Sequence, residues 1–203
     1  MPGRKKWQSR LFIAGIVIAL IWLGLTIYVQ LPNGEYQETF GSENAPQHAL
    51  ILYDADPFYN FDQQISTAFA EGLAEQAWQA TVSTIKSIRE HEHADYDLYV
   101  FCANTYNWEP DWTMSHYLRT EIDLNNRAVV AITVGAGSTA RAQRSLDYKI
   151  EKAGGLLVDS RTFWLARSNG ENEQSKSNME VARDQCRSWA RSIAFQGFAN
   201  LDL

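Results

Sequence analysis

Three short segments of the sequence carry side chains that could bind a ligand or do chemistry. The first contains Asp54, Asp56 and Asp62, whose carboxylates could hold Mg²⁺ or act as a nucleophile. The second, residues 102–112, holds one Tyr and two Trp, side chains on which a flat ligand can stack. The third, residues 133–139, is rich in small residues that let a ligand approach the backbone. Whether these segments act together depends on the elements that position them.

The elements around these segments alternate between strand and helix. Apolar runs suited to buried strands occur at 48–53, 97–103 and 128–134, with weaker candidates at 81–85 and 156–158. Apolar side chains spaced four residues apart predict helices between them. Five strands alternating with helices predict an α/β fold with a parallel sheet and helices on both faces, and the strand order 2-1-3-4-5 fits the chain length best. Ligands of such sheets bind beyond the carboxyl ends of the strands, where all three segments fall.

The second segment resembles a known family. The sequence from Cys102 to Pro110 follows the third strand and precedes a helix over 114–122. Here the chain resembles the flavodoxin-like superfamily, in particular its branch of NAD(P)H-dependent FMN reductases and quinone reductases. Tyr106 matches the flavin-contacting Tyr of that branch, and Asn104 stands where Pro is usual. The resemblance implies a flavin-binding set in this loop: Asn104, Thr105, Tyr106, Asn107 and Trp108. The alternative is that the Trp residues only cover the edge of the core.

The third segment is similar to the second glycine-rich flavin loop of the same family. Small residues in that loop let backbone amides approach the edge of the isoalloxazine ring. The resemblance spans residues 48–195 and implies FMN as the cofactor, with NAD(P)H as a possible electron donor. Glycine before a helix also occurs for turn geometry alone. The implied flavin-binding residues of this loop are Gly135, Ala136, Gly137, Ser138 and Thr139.

The first segment departs from the family pattern. Family members hold the FMN phosphate in a turn rich in Ser and Thr at a helix N-terminus. This chain has Asp54, Ala55, Asp56 and Pro57 instead, so carboxylates replace hydroxyls and Pro57 removes an amide donor. A phosphate dianion next to these carboxylates would be strongly repelled. The sequence therefore keeps the two loops expected to hold the ring and lacks the loop expected to hold the phosphate.

The same carboxylates support a hypothesis from another class. An Asp-x-Asp after the first strand resembles motif one of haloacid-dehalogenase-like phosphatases, in which one Asp is the nucleophile and both help to bind Mg²⁺. Thr133 and either Lys149 or Lys152 could fill two further positions, but only Asp159 stands where an acidic pair is needed. The run Glu90–His93 could hold a divalent cation, although its spacing is more typical of a solvated loop. We therefore assign no metal site.

The N-terminus predicts a single membrane anchor. Residues 11–29 contain no charge and follow a basic tail, residues 1–10. As a helix they would span roughly 28 Å, close to the thickness of the bilayer core. A cleaved signal peptide is the alternative, but the apolar run is longer than usual and no small-x-small site follows. The positive-inside rule predicts a cytoplasmic N-terminus, with residues 30–203 on the far side of the cell membrane.

Composition limits what the rest of the chain can be. The first 29 residues hold four of the 18 bases and none of the 24 acids, which leaves 14 bases against 24 acids. Nucleic acid is therefore not an expected partner. Residues 30–46 predict a linker, and residues 47–203 are long enough for one domain with its own core. Cys102 and Cys186 lie in apolar elements, which favours buried thiols over a disulfide.

Three functions remain open. The first is a membrane-anchored flavodoxin-like oxidoreductase or electron carrier that uses FMN and passes electrons from NAD(P)H or a protein to a quinone or a protein. The second is the same fold without a flavin, in which the aromatic loop binds a protein partner. The third is a Mg-dependent phosphoryl-transfer enzyme that uses Asp54 and Asp56. No catalytic residue can be assigned in the first two.

Overall fold

The computed structural model describes residues 2–88, 96–170 and 176–196, and the chain divides into two units. The first unit, residues 1–31, contains one helix, α1 (Pro2–Val29). Its segment Trp7–Val29 has a mean hydropathy of 2.5 and is long and apolar enough to cross a membrane. This criterion concerns length and composition only, and a signal sequence near the N-terminus also meets it. The helix includes the predicted anchor and most of the predicted basic tail.

The second unit, residues 32–203, is built around one sheet. Its strands are β1 (Gln37–Phe40), β2 (Gln47–Tyr53), β3 (Trp78–Thr84), β4 (Leu98–Tyr106), β5 (Glu109–Pro110), β6 (Ala128–Gly135) and β7 (Leu156–Trp164). Its helices are α2 (Phe61–Ala74), α3 (Ile85–Ile88), α4 (Trp112–Thr120), α5 (Ala140–Lys152) and α6 (Asn178–Gln196). The strands lie in the order β1-β3-β2-β4-β6-β7, and β5 pairs with β4 outside this path. All neighbours from β3 to β7 are parallel, whereas β1 and β5 pair antiparallel.

The sheet is buried on both faces. Alternation along β2 directs Leu50 and Leu52 to one face and Ile51 and Tyr53 to the other. Apolar side chains of α2 and α6 pack on the face of Ile51, and those of α4 and α5 pack on the opposite face. Each large apolar side chain buried in this way contributes roughly 1.5–3 kcal/mol. The predicted α/β fold with a parallel sheet is confirmed.

Several element boundaries differ from the sequence-based prediction. Residues 30–46 were expected to form a linker, but residues 37–40 form β1 at the edge of the sheet, so the domain begins before residue 47. This strand is short, polar and largely exposed, and it therefore shows no apolar pattern. β4 continues to Tyr106 and β7 to Trp164. With β1 and β5 the sheet has seven strands rather than the five predicted.

Both cysteines are buried and unbridged, as the sequence predicts. Cys102 lies in β4 and Cys186 in α6. Burial raises the pKa of both thiols. They therefore remain protonated and act as small apolar core residues.

The close approach of α2 to α6 depends on Gly72. A Cβ at this position would lie 2.4 Å from the carbonyl oxygen of Arg187 and 2.8 Å from the Cβ of Ala190. Because backbone cannot move aside as a flexible side chain can, we expect Gly72→Ala to lower the free energy of unfolding by about 1–3 kcal/mol. Urea unfolding of the full chain measures the loss. Gly137→Ala is the matched control, since its new Cβ would meet nothing closer than 3.7 Å; equal stability of the two variants would contradict this packing.

Candidate functional site

A pocket lies at the carboxyl ends of β2, β4 and β6. Its volume is about 250 Å³. Nine residues line it: Asp56, Tyr59, Phe61, Asn104, Thr105, Tyr106, Gly135, Ala136 and Leu165. Three of these are aromatic, and none of the described lining residues is a Lys or an Arg. Ligands of open parallel sheets bind at this edge, and the volume is below the roughly 300–1,000 Å³ of pockets that enclose a drug-sized ligand.

The loop after β2 is organised around the carboxylate of Asp56. Its Oδ1 accepts hydrogen bonds from the backbone N–H groups of Phe58 at 2.7 Å and Tyr59 at 2.9 Å. Its Oδ2 accepts the phenolic O–H of Tyr106 at 2.5 Å. Burial and this hydrogen bond to a charged carboxylate raise the pKa of the Tyr106 phenol, which therefore stays protonated. Asp56 thus occupies the donors of a turn that precedes a helix, a common position for a bound anion.

Asp62, in the first turn of α2, forms the inner part of the same network. Its Oδ2 accepts the backbone N–H of Asp56 at 2.8 Å and the Nδ2–H of Asn104 at 3.0 Å, and its Oδ1 accepts the N–H of Gln63 at 2.8 Å. The Asn104 amide also donates to the carbonyl oxygen of Asp54 at 2.9 Å. One side chain of β4 therefore ties the end of β2 to the start of α2. Burial raises the pKa of Asp62 to about 6, against the lowering effect of its hydrogen bonds.

Asp111 connects the end of β4 with the start of α4. It is the N-cap of α4, and its Oδ1 accepts the N–H of Met114 at 2.7 Å. Its Oδ2 accepts the N–H of Asn104 at 3.0 Å, and its own N–H donates to the Asn104 carbonyl at 2.9 Å. Burial of the side chain and the nearby charge of Asp54 raise the pKa of Asp111. The side chain thus fixes the hairpin that forms one wall of the pocket.

The segment predicted as a flavin-binding loop is a tight hairpin. Asn104, Thr105 and Tyr106 belong to β4, whose last two residues pair with β5. Asn107 and Trp108 form a two-residue turn with φ of 51° and 63°, the positive values that a type I′ turn requires. Trp108 is 59% exposed. The first three residues of the expected set therefore line the pocket, and Asn107 and Trp108 lie outside its lining.

The second predicted flavin loop contributes only its first residues. The pocket lining includes Gly135 and Ala136 and leaves out Gly137, Ser138 and Thr139. A Cβ at Gly135 would lie 2.8 Å from the Cγ2 of Thr139 and 3.0 Å from the Cβ of Thr105. Glycine is thus required here for the loop to pack on β4. Thr139 is buried, and its hydroxyl accepts the indole N–H of Trp164 at 2.8 Å.

Four lining residues, Asp56 among them, were not in the predicted flavin-binding set. Tyr59 and Phe61 follow the first strand, where only the nearby carboxylates had suggested chemistry. Leu165 follows β7, and the sequence-based prediction ended this strand too early to bring Leu165 to the pocket. The hydroxyl of Thr105 is buried and has no hydrogen-bond partner within the described ranges. A buried group left unsatisfied in this way costs about 1–3 kcal/mol.

The carboxylates do not converge as cation ligands do. Within residues 2–88, 96–170 and 176–196, no three His, Cys, Asp or Glu side chains form a group that could hold a metal ion. The oxygens of Asp56 and Asp62 accept hydrogen bonds from N–H and O–H donors instead. Lys149, one of the lysines considered for phosphoryl chemistry, contacts Ser145 and Glu109. The run Glu90–His93 lies outside the described residues. The phosphoryl-transfer hypothesis therefore gains no support from the geometry.

A larger cavity of about 660 Å³ lies between α4 and α5. Its lining includes Leu118, Ile122, Lys149 and Lys152, and it reaches Gly154, just before β7 begins. This position is at the amino ends of the strands. Because the three candidate segments meet at the opposite edge of the sheet, the smaller pocket remains the candidate site.

Comparison with known proteins identifies the fold. No protein-family model and no curated protein sequence matches the chain. Many solved structures match the chain, among them a flavone reductase with a TM-score of 0.57 and 10% identity, over 76% of this chain and 64% of that chain. A flavodoxin from the domain Archaea matches with a TM-score of 0.54 and 11% identity, over 73% of this chain and 97% of that chain. The NAD(P)H:quinone oxidoreductase from Methanothermobacter marburgensis matches with a TM-score of 0.50 and 12% identity, over 72% of this chain and 98% of that chain. At such identities the likeness concerns the fold. The resemblance stated from the loops is confirmed at this level: the chain has the flavodoxin-like fold.

Proposed function

We propose that the domain is a flavodoxin-like oxidoreductase or electron carrier whose pocket binds the ring system of a flavin. The observation that carries this proposal is the pocket itself, at the carboxyl ends of the central strands. Tyr59, Phe61 and Tyr106 supply aromatic faces, and Gly135 and Ala136 add only small side chains to the wall. Aromatic faces stack on flat rings. The archaeal flavodoxin and the quinone oxidoreductase of the same fold support the assignment.

The residues suit the ring of FMN and not its phosphate. The backbone N–H groups of Phe58 and Tyr59 already donate to Asp56, so they are not available to an anion. None of the described lining residues carries a positive charge. The Thr105 hydroxyl, by contrast, is a buried polar group in the pocket wall whose hydrogen-bonding capacity is unused among the described residues.

A bound flavin would supply the electron transfer, and the protein would supply its position and surroundings. Asp56 accepts the phenolic O–H of Tyr106 and so holds this side chain in place in the pocket lining. The raised pKa of that phenol keeps its proton on the oxygen. No side chain of the pocket has to transfer a proton for this function. The electron donor would be NAD(P)H or a protein, and the acceptor a quinone or a protein.

Flavin binding by the full chain in a nonionic detergent tests the proposal. We expect saturable quenching of flavin fluorescence by the wild type. Tyr59→Leu should weaken binding about tenfold, because stacking of a ring on an aromatic side chain contributes roughly 1–3 kcal/mol. Tyr148→Leu is the matched control, since this exposed Tyr lines the cavity between α4 and α5. No binding by the wild type, or weakening by Tyr148→Leu alone, would overturn the assignment.

A second candidate is a flavin-free domain that binds a protein partner. It is favoured by the exposure of Phe58 (58%), Trp108 (59%) and Trp112 (54%), since large exposed aromatic side chains are typical of binding surfaces. A photo-crosslinking residue at position 108 tests it in membranes that contain the full chain. A discrete crosslinked product that the same residue at position 148 does not give would support this candidate. Absence of such a product would reject it.

The same proposal includes a membrane anchor at residues 11–29, with the N-terminus in the cytoplasm and residues 30–203 outside. The charge asymmetry of the sequence and the apolar helix Trp7–Val29 support it. We expect the full chain to remain with membranes in alkaline carbonate and its domain to be cleaved by protease added to intact cells. A mature chain that lacks the apolar segment would instead indicate a signal peptide.

A further inference from the structure

The geometry points to a pocket that is closed to phosphate by Asp56 and that takes an uncharged flat ring compound, so that riboflavin binds in preference to FMN. This inference rests on the flavin-binding function proposed above and specifies its ligand class. Riboflavin and FMN share the ring and the ribityl chain and differ only in the phosphate. They therefore form a matched pair of probes for the loop after β2.

Four backbone donors in and just after this loop are taken up by its own carboxylates. Asp56 accepts the backbone N–H groups of Phe58 and Tyr59, and Asp62 accepts those of Asp56 and Gln63. An incoming phosphate would have to replace a carboxylate in order to reach these donors. These four donors are thus already satisfied, and they gain nothing from an anionic ligand.

Two side-chain donors of β4 that contact this loop and the start of α2 are also engaged. The phenolic O–H of Tyr106 donates to Asp56 at 2.5 Å. The Asn104 amide donates both to the carbonyl oxygen of Asp54 and to the carboxylate of Asp62. These contacts hold Asp56 against the pocket wall, so moving its carboxylate away would break three hydrogen bonds at once.

Charge opposes the phosphate as well. Asp54 and Asp62 are buried next to Asp56, and no Lys or Arg occurs among the described residues that line the pocket. A phosphate dianion would face like charges across a partly dry space without a compensating cation. A neutral ligand meets no such repulsion.

The volume and the lining of the pocket suit a flat ring. Its volume of about 250 Å³ lies below the range that encloses an entire drug-sized ligand. Its other lining residues carry no charge: Tyr59, Phe61, Asn104, Thr105, Tyr106, Gly135, Ala136 and Leu165. Apart from Asp56, the site is therefore built for an uncharged flat compound, with the substituents of the ring left outside.

Fluorescence titration of the full chain in a nonionic detergent with riboflavin and with FMN tests the inference. We expect the wild type to bind riboflavin at least about tenfold more tightly than FMN, since repulsion by one nearby carboxylate is on the order of that factor. FMN affinity equal to or above riboflavin affinity would overturn the inference and leave the flavin-binding function intact. Binding of neither flavin would instead overturn the proposed function.

Substitution of Asp56 shows whether this carboxylate causes the preference for riboflavin over FMN. In Asp56→Ser the charge is removed and the two turn amides are freed, so the ratio of FMN affinity to riboflavin affinity should rise about tenfold, whatever the change in flavin affinity that the two ligands share. Asp184→Ser removes the same charge from an exposed position on α6 and should leave both affinities unchanged. Equal gains in both variants would show that only net charge matters and would contradict the assignment to Asp56. The wild-type preference for riboflavin tests the inference even if Asp56→Ser does not fold.

Discussion

Asp111→Ala is expected to lower the free energy of unfolding of the domain by about 2–4 kcal/mol. The carboxylate caps α4 through the N–H of Met114 and accepts the buried N–H of Asn104. Loss of an N-cap costs about 0.5–2 kcal/mol, and a buried N–H without an acceptor costs about 1–3 kcal/mol. Because the same side chain fixes the β4–β5 hairpin, the substitution should also loosen the wall of the pocket.

Urea unfolding of the full chain measures this loss. Asp111→Asn is the matched variant, because it keeps one oxygen for the cap but replaces the other with an NH₂ group that cannot accept from Asn104. We expect its stability to lie between those of the wild type and Asp111→Ala. Asp184→Ala, at an exposed position, should change stability by no more than about 0.5 kcal/mol. A loss at Asp111→Ala that is no larger than this would contradict the double role of the carboxylate.

The domain is also expected to be more stable at about pH 5 than at about pH 7.5, by roughly 1–3 kcal/mol. Burial raises the pKa of Asp62 from 3.8 to about 6 and also raises that of Asp111. Since the folded pKa is above the unfolded one, this contribution is complete below about pH 4 and is lost as the pH rises through about 6. Glu109, whose pKa is lowered by Ser145 and nearby cations, acts in the opposite sense and only at lower pH.

Thermal unfolding of the full chain as a function of pH checks this expectation. The melting temperature should fall by several degrees between about pH 5 and about pH 7.5, at roughly 2–4 °C per kcal/mol. Asp62→Asn cannot titrate, so it should flatten the pH dependence even though it lowers stability at every pH by losing an acceptor. A melting temperature that rises over this interval would show that the carboxylates are not buried in the way described.

The parts of the fold that could be predicted are those with a strong local signal. The central strands β2, β4 and β6 are continuous apolar runs because both of their faces are buried. Residue type and position restrict the cap of α4 to Asp111 or Thr113, and the structure has it at Asp111. β1 carries no such signal, because an edge strand of four mostly exposed residues needs no apolar pattern. The end of β7 was missed for a similar reason, since most of its side chains are only partly buried.

The candidate site could be predicted in location and only partly in composition. The parallel sheet brings Asn104, Thr105, Tyr106, Gly135 and Ala136 to one pocket, as the loop positions suggested. Asn107 and Trp108 extend away from it, because a type I′ turn closes the hairpin one residue after Tyr106. That turn depends on the backbone conformation of a Trp at positive φ, which few residues adopt and which no local pattern indicated.

The hydrogen-bond partners of the carboxylates could not be predicted from the sequence. From the sequence, Asp54 and Asp56 would either repel a phosphate or hold a cation. The structure shows a third arrangement, in which Asp56 and Asp62 accept the N–H groups of their own loop. Its side-chain donors, Tyr106 and Asn104, lie 50 and 42 residues from the carboxylates that they contact. Partners so distant in sequence meet only after the sheet has formed.

The central claim is that Asp56 holds the anion position of this loop. Its most direct test is a titration of the full chain in detergent with inorganic phosphate, followed through the backbone amide NMR signals of Phe58 and Tyr59. We predict no saturable shift in the wild type, because both amides already donate to Asp56. In Asp56→Ser the same signals should shift and saturate. Saturable shifts of these two amides in the wild type would contradict the claim.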